Sequence, residues 1–143
     1  MEIKHKVTGQ VLWSADRLAY TSLRNINLAS ADLAGAYMIR SKLIGIDLTH
    51  ADMAGADLYG SDLSYADLIG ANLSGADLAF VNLTRANLAN ANLTGVNLTN
   101  ANLHGANLAH ADLEGANLTG ADLSRVNLTG ARRRHARRTG EDQ

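Results

Sequence analysis

Several features that are common in protein sequences are missing from this chain of 143 residues, and each absence narrows its class. It contains no cysteine, which excludes a disulfide framework and any metal site with thiolate ligands. No run of about 18 consecutive apolar residues occurs, so no membrane-spanning segment is predicted. The first residues include Lys4 and Lys6 without an apolar stretch behind them, so no secretory signal is expected and a cytoplasmic protein is predicted.

Proline is also absent, and aromatic residues make up only 4% of the chain. Because protein cores usually rely on large aromatic side chains, this core must be built mainly from leucine and alanine. The lack of proline suits a chain in which many backbone N–H groups join a hydrogen-bonded ladder. The formal net charge of −1 at pH 7 indicates neither a nucleic-acid binder nor an acidic mimic of one.

What the sequence does contain is a five-residue repeat. From Thr21 to Gly130 it reads as 22 consecutive units of the form Ala-Asp/Asn-Leu-x-x, with no insertion. The central position is Leu in 20 units and Met in two, and the position before it is Asp in nine units and Asn in ten. Apolar residues that recur so strictly indicate a chain that buries them, which argues against a disordered low-complexity segment.

A period of five does not fit the ordinary secondary structures. Residues five apart on an α-helix are rotated by about 140°, so the leucines would spiral around every face. On a flat strand, an odd period would move the leucine to the opposite face at each repeat. The chain must therefore turn once per unit, and quarter turns would close a square coil every 20 residues. Each central leucine and the small residue two before it then point inward.

This pattern resembles the pentapeptide-repeat family, and the resemblance covers 110 of the 143 residues. It implies an all-β fold, a right-handed quadrilateral β-helix (solenoid) of about 5.5 four-sided coils. Leucines twenty residues apart should stack as internal columns. The predicted structural core consists of Leu23, Leu28, Leu33, Leu43, Leu48, Leu58, Leu63, Leu68, Leu73, Leu78, Leu83, Leu88, Leu93, Leu98, Leu103, Leu108, Leu113, Leu118, Leu123 and Leu128.

Three segments are predicted: an N-terminal cap over residues 1–20, the repeat domain over 21–130, and a basic, flexible tail over 131–143. Open coil ends are exposed strand edges, which proteins usually cover. The tail offers no comparable apolar cover for the last coil, so an end-to-end homodimer through the C-terminal coil is one predicted arrangement. The first coil is expected to be covered by the apolar side chains of Ile3, Val7, Val11, Leu12 and Trp13.

Candidate chemistry is sparse. Catalysis needs a concave pocket with convergent groups, and a filled rod without loop insertions offers neither. The aspartates recur as a structural position of the repeat, where they are expected to hydrogen-bond near the turns. His50 and His110 occupy the same corner position but lie three coils apart, too far to share a metal ion. We therefore predict a non-enzymatic protein with no catalytic residues, no cofactor and no metal site.

The outer surface is then the place to look for function. Acidic residues are concentrated in the second and third coils, with no basic residue between Asp47 and Asp77. Large apolar residues at outward positions are a second departure from the repeat, because a polar residue is expected there. The candidate partner surface consists of Asp47, Asp52, Asp57, Asp62, Asp67, Asp77, Tyr59, Tyr65 and Phe80.

Three functions remain open. The first is a rigid protein-interaction module or scaffold with an unidentified protein partner. The second follows from the resemblance: some family members confer quinolone resistance or self-immunity by mimicking DNA, which implies a binder or inhibitor of a type II topoisomerase, DNA gyrase or topoisomerase IV, through the acidic belt. The third is binding of nucleic acid or another anionic polymer through the arginine-rich tail. Binding by the belt should weaken steeply with salt, whereas binding by an apolar patch should not.

Overall fold

The chain forms a four-sided coil in which each turn stacks on the one before. The computed structural model describes residues 2–5, 8–9, 11–14 and 18–138. Parallel backbone bridges join residues twenty apart along the whole coil, from Ser22 and Lys42 at one end to Asn117 and Arg137 at the other. The fold is therefore the predicted right-handed quadrilateral β-helix, with five residues on each side.

Each corner of the coil is a tight turn. The carbonyl of the central leucine accepts a hydrogen bond from the N–H three residues later, as between Leu48 and Ala51 at 3.0 Å. Every fifth residue from Tyr20 to His135 has a positive φ, between 50° and 71°. A positive φ at the third turn position is the signature of a type II turn, which explains why glycine is frequent there.

The Asp or Asn before each central leucine stabilises the same turn. Its side-chain oxygen accepts a hydrogen bond from the N–H two residues later; Asp47 Oδ1, for example, lies 3.0 Å from the Thr49 nitrogen. Asp and Asn are suited to this bond because their short side chains reach the following backbone. The expectation that these carboxylates hydrogen-bond near the turns is thus matched by the geometry.

Leucine and alanine fill the interior. The predicted core leucines from Leu23 to Leu118 are buried, whereas Leu123 and Leu128 are only partly buried because they lie in the last full coil. Two serines replace alanine inside the first coils and are fully hydrogen-bonded. The Ser41 hydroxyl donates to the carbonyl of Leu18 at 2.6 Å, and the Ser61 hydroxyl donates to that of Met38 at 2.7 Å.

The N-terminal residues cover one side of the first coil with an antiparallel sheet. Strand β1 (Glu2–His5) pairs with β2 (Val11–Ser14) and, on its other edge, with β3 (Ala31–Asp32) of the coil. Ile3 is completely buried. The sheet therefore satisfies part of the exposed edge of the first coil. Four other side chains were predicted to cover the first coil, and they lie outside the described part of the structure: Val7, Val11, Leu12 and Trp13.

The coil continues past residue 130, so the predicted start of the tail at residue 131 is too early. The N–H groups of Arg132 and Arg137 donate to the carbonyls of Ala111 and Ala116, at 2.9 and 2.8 Å. Ala131 and Ala136 continue the repeat, because they occupy its small inward position and pack against the core. A small side chain at this position allows the backbone pairing to continue. The described part of the chain contains no helix, and therefore no helix that could cross a membrane.

Candidate interaction surface

One of the four sides of the coil carries most of the exposed aromatic side chains. Among the residues whose burial is described, the exposed large hydrophobic side chains are those of Tyr20, Tyr37, Tyr59, Tyr65 and Phe80. All but Tyr65 fall on the side that contains residues 18–20, 36–40, 56–60 and 76–80. We call this side the aromatic face. The chain has only six aromatic residues in all, so four of them on one side is a marked concentration.

Two of these rings touch. The ring centroids of Tyr59 and Phe80 are 5.5 Å apart, and the rings are tilted by 56°. This is the spacing of a favourable aromatic pair. The predicted partner residues Tyr59 and Phe80 are therefore brought together, whereas Tyr65 lies at a corner of a neighbouring side and is 59% exposed.

Three of the exposed aromatic residues, Tyr20, Tyr65 and Phe80, occupy corners with a positive φ. Phe80 and Tyr20 have φ values of 58° and 60°, in the left-handed region. This conformation costs an L-residue with a side chain about 1–2 kcal/mol, and it is rare for bulky residues. Glycine occupies the same corner at Gly60 and Gly120 without this strain. Every unit of the repeat has a positive φ at this position, and Arg40 and Asn100 share it in the same column, so the conformation belongs to the repeat. The exposed rings contribute little to the core and therefore do not offset the strain.

The predicted acidic residues form a belt around the coil. They are half-buried, and they are spread over all four sides. On three sides, two aspartates pair directly across neighbouring turns, and like charges placed opposite each other in a sheet are unfavourable. These stacked pairs are Asp32 with Asp52, Asp47 with Asp67, and Asp57 with Asp77.

The pair Asp57 and Asp77 lies on the aromatic face. Tyr37, Asp57 and Asp77 follow each other in one column, bridged from turn to turn. Asp57 Oδ1 accepts a hydrogen bond from the N–H of Tyr59 at 3.1 Å, which fixes the carboxylate beside the aromatic pair. Part of the acidic belt and the aromatic residues therefore form a single surface on this side of the coil.

A Ser, His and Asp cluster occurs near the C-terminal end. Ser124 Oγ lies 2.7 Å from His104 Nδ1, and Ser124 also hydrogen-bonds Asp122 through its hydroxyl and its N–H, which lowers the pKa of Asp122 from its usual value. This contact is exposed on the outer surface of the coil, whereas catalytic groups usually converge in a concave pocket.

The C-terminal end of the coil is open and carries arginines at inward positions. A cavity of about 300 Å³ is bounded there by leucine side chains and by Arg133, Ala136 and Arg138. Arg133 and Arg138 stand where the repeat elsewhere has leucine. A second copy stacked on this end would bring guanidinium groups together, which opposes the end-to-end homodimer. That arrangement stays a prediction.

One outward arginine of this end, Arg132, is paired with acidic side chains. Arg132 contacts Asp112 at 2.7 Å and Glu114 at 3.0 Å. The charge of this one arginine is therefore partly neutralised within the chain, whereas four further arginines follow between residues 133 and 138. In the residues that the structure describes, no group of three or more His, Cys, Asp or Glu side chains is placed to hold a metal ion.

Comparisons with known proteins agree with this geometry. A solenoid whose interior is filled, with its variable side chains on the outside, defines the class of repeat scaffolds. The family model for pentapeptide repeats (8 copies) matches residues 17–49, 41–78, 76–120 and 97–132. The chain belongs to the pentapeptide repeat family, whose members are generally structural or interaction modules. No curated protein was found to match it.

Several solved structures are similar. The pentapeptide repeat protein Rfr23 from the cyanobacterium Cyanothece 51142 is 35% identical, with a TM-score of 0.68 over 78% of this chain and 86% of that one. HetL, involved in heterocyst differentiation regulation in Nostoc sp. strain PCC 7120, is 34% identical, with a TM-score of 0.52 over 78% of this chain and 59% of that one. QnrB1, a plasmid-mediated fluoroquinolone resistance protein, is 16% identical, with a TM-score of 0.57 over 82% and 70%, and shows the fold alone.

Proposed function

We propose that this protein is a non-enzymatic, rigid interaction module that binds a partner protein on its outer surface. Its interior is filled by leucine and alanine. Within the described residues, no buried side-chain nitrogen or oxygen lacks a hydrogen-bond partner. The aspartates that could act as acids or bases are used in turn hydrogen bonds. The outward side chains are therefore the groups that are available to bind another molecule.

The observation that carries this proposal is the grouping of exposed aromatic residues on one side of the coil. Singly exposed apolar residues are normal and need no explanation. Tyr20, Tyr37, Tyr59 and Phe80 are instead gathered on the aromatic face, while the C-terminal half of the same side carries residues such as Asn97 and Asn117. Tyrosine is among the residues that contribute most to protein–protein binding.

Site-specific photo-crosslinking in the cell of origin tests this function. A photoreactive phenylalanine analogue is placed at residue 59 and, as a matched control, at residue 119, which lies in the same column three turns further on. We expect a discrete cross-linked protein with the probe at residue 59 and none at residue 119. Identical patterns at the two positions, or none at either, would contradict a partner-binding role for this side.

DNA mimicry is the alternative function, and the acidic belt is the observation that favours it. The stacked pairs Asp47–Asp67 and Asp57–Asp77 place carboxylates side by side without a basic residue between Asp47 and Asp77. A surface of this kind complements a basic groove such as the DNA site of a type II topoisomerase. The fold of QnrB1 is similar, but at 16% identity its resistance activity is not transferred to this chain.

A supercoiling assay with DNA gyrase, with and without a quinolone, separates the two functions. If the chain mimics DNA, it should inhibit or protect the enzyme, and the effect should disappear when Asp52, Asp57 and Asp67 are changed to Asn. It should also weaken steeply as salt is raised, because the attraction is between exposed charges. No effect on gyrase or on topoisomerase IV at any soluble concentration would remove this alternative.

A further inference from the structure

The aromatic face has the chemistry to recognise a particular kind of partner. We propose that it binds a segment of a partner protein in which lysine or arginine residues are interspersed with apolar side chains. The inference rests on the proposed interaction function and specifies the ligand for it. Two independent features of the same surface lead to it, one apolar and one electrostatic.

The apolar feature is an exposed, pre-formed set of rings. Phe80 and Tyr20 are 53% and 65% exposed, and both sit at corners whose φ disfavours bulky residues. Tyr59 is held against Phe80 at a centroid distance of 5.5 Å. Because the backbone under these residues belongs to the hydrogen-bonded coil, the rings are positioned before a partner arrives. Such rigidity lowers the entropic cost of binding.

The electrostatic feature is the stacked pair Asp57 and Asp77 beside the rings. These two carboxylates oppose each other across neighbouring turns, which is unfavourable until a cation lies near them. The belt residues on the other sides extend the negative field around the rod. Within residues 18–20, 36–40, 56–60 and 76–80, the basic side chain is that of Arg40, whose stem passes over the corner at Gly60. Its single charge does not balance the two stacked carboxylates.

Rings and carboxylates together select for a cation with an apolar neighbour. A lysine or arginine group can lie over a tyrosine ring while it also pairs with a carboxylate, and both contacts favour a positive ligand. An acidic apolar segment would gain the contacts with the rings but would be repelled by Asp57 and Asp77. A basic segment without apolar residues would leave the Tyr59–Phe80 pair uncovered. The surface therefore fits a segment that has both properties.

Selection from a phage library of random peptides against the full immobilised chain tests the inference. We expect the enriched peptides to combine Lys or Arg with apolar residues. Synthetic copies of them should bind about tenfold more weakly to a Tyr59→Ser, Phe80→Ser variant, the size of effect typical of central interface residues. An Asp57→Asn, Asp77→Asn variant should lose affinity for the same peptides and also lose its dependence on salt.

Tyr65→Ser is the matched control, because it removes an exposed tyrosine from a different side of the coil. It should leave peptide binding unchanged. Enrichment of neutral or acidic peptides, equal losses in the Tyr65 and Tyr59/Phe80 variants, or failure to enrich any peptide would each overturn the inference. Peptides that bind at another side would overturn it while leaving the proposed interaction function intact. The circular dichroism spectrum of each variant is compared with that of the parent chain to check that the substitutions leave the fold unchanged.

Discussion

Asp and Asn share one position of the repeat, but they differ in what they offer the neighbouring turn. Both accept the turn hydrogen bond from the N–H two residues later. Asn also donates its Nδ2 to the side chain twenty residues earlier, as Asn97 does to Asp77 at 3.0 Å. Asp cannot donate when ionised, so an Asp above an Asp leaves two charges opposed. The choice between these residues therefore decides whether neighbouring turns attract or repel each other at that position.

The first prediction follows from this difference at a single residue. Asp77→Asn should raise the free energy of unfolding by about 0.2–1 kcal/mol, since it removes the repulsion with Asp57 and supplies a donor to it. Denaturant titration of the two chains measures the change.

Asp62→Asn provides the control with the opposite sign. Asp62 pairs across the turn with Lys42, so the substitution removes an attractive neighbour instead of a repulsive one. It should lower stability by a similar small amount. If both substitutions moved stability in the same direction, the explanation by cross-turn charge would be wrong.

At the scale of the element, the corner of the coil is shared between neighbouring turns. A side chain at one corner leans over the corner of the next turn, where a glycine leaves room for it. His50 lies over Gly70 in this way, and His110 lies over Gly130. A Cβ at Gly70 would collide with the imidazole of His50, whereas a Cβ at Gly55 would meet nothing within 4 Å. Glycine is thus required at some corners by its neighbour as well as by φ.

The second prediction compares these two glycines. Gly55→Ala should cost about 1–2 kcal/mol of unfolding free energy, because it places a side chain at φ 63°. Gly70→Ala has the same φ and must in addition displace His50, so it should cost more. Adding His50→Ala should recover the difference, and the coupling is measured by a double-mutant cycle. Equal costs for the two glycines would show that the imidazole contact does not matter.

The sequence predicted the elements of the coil in detail because one rule repeats. The position of each leucine and the twenty-residue coil both follow from the period and from the alternation of side chains along a strand. The antiparallel pairing of β1 with β3 did not follow, because Lys4 and Asp32 are brought together by topology and not by local pattern. The continuation of the coil over residues 131–138 could have been found from Ala131 and Ala136, which keep the small inward position of the repeat.

The candidate surface was predictable only in part. Tyr59 and Phe80 stand out at outward positions, and both belong to the predicted partner surface. Tyr20 precedes the first regular unit and Tyr37 replaces Asp or Asn, so neither was identified as part of a surface. Reading the sequence in rows of twenty would have placed all four on one side. Their exposed fractions and the tilt of the ring pair depend on packing and could not be predicted in this way.

At the scale of the whole molecule, the two ends of the rod differ. The first coil is partly covered by the antiparallel sheet of β1 and β2. The last described turn leaves Leu123 and Leu128 only partly buried around a cavity that Arg133 and Arg138 also line. An apolar end favours stacking of two molecules, while inward arginines oppose it. The balance between these two effects sets the oligomeric state.

The third prediction changes this balance. Arg133→Leu extends a leucine column by one residue and removes a positive charge from the open end. We expect the variant to form dimers at concentrations where the parent chain has the mass of one chain, as measured by light scattering. Arg134→Leu is the control, because residue 134 points outward at the next position and should not change the mass. A single-chain mass for Arg133→Leu at every concentration would contradict end-to-end stacking.

The twenty-residue period has a consequence for how such a protein can change over generations. Losing or duplicating one unit of five between Tyr59 and Phe80 would leave every leucine inside and every turn intact, because the remaining units are interchangeable in the core. Everything downstream would nevertheless rotate by a quarter turn, and Phe80 would move to a side of the rod where Tyr59 is not. Only gains or losses of four units at a time preserve the pattern of the faces. A change in length that leaves folding unaffected can therefore exchange one binding specificity for another in a single genetic step.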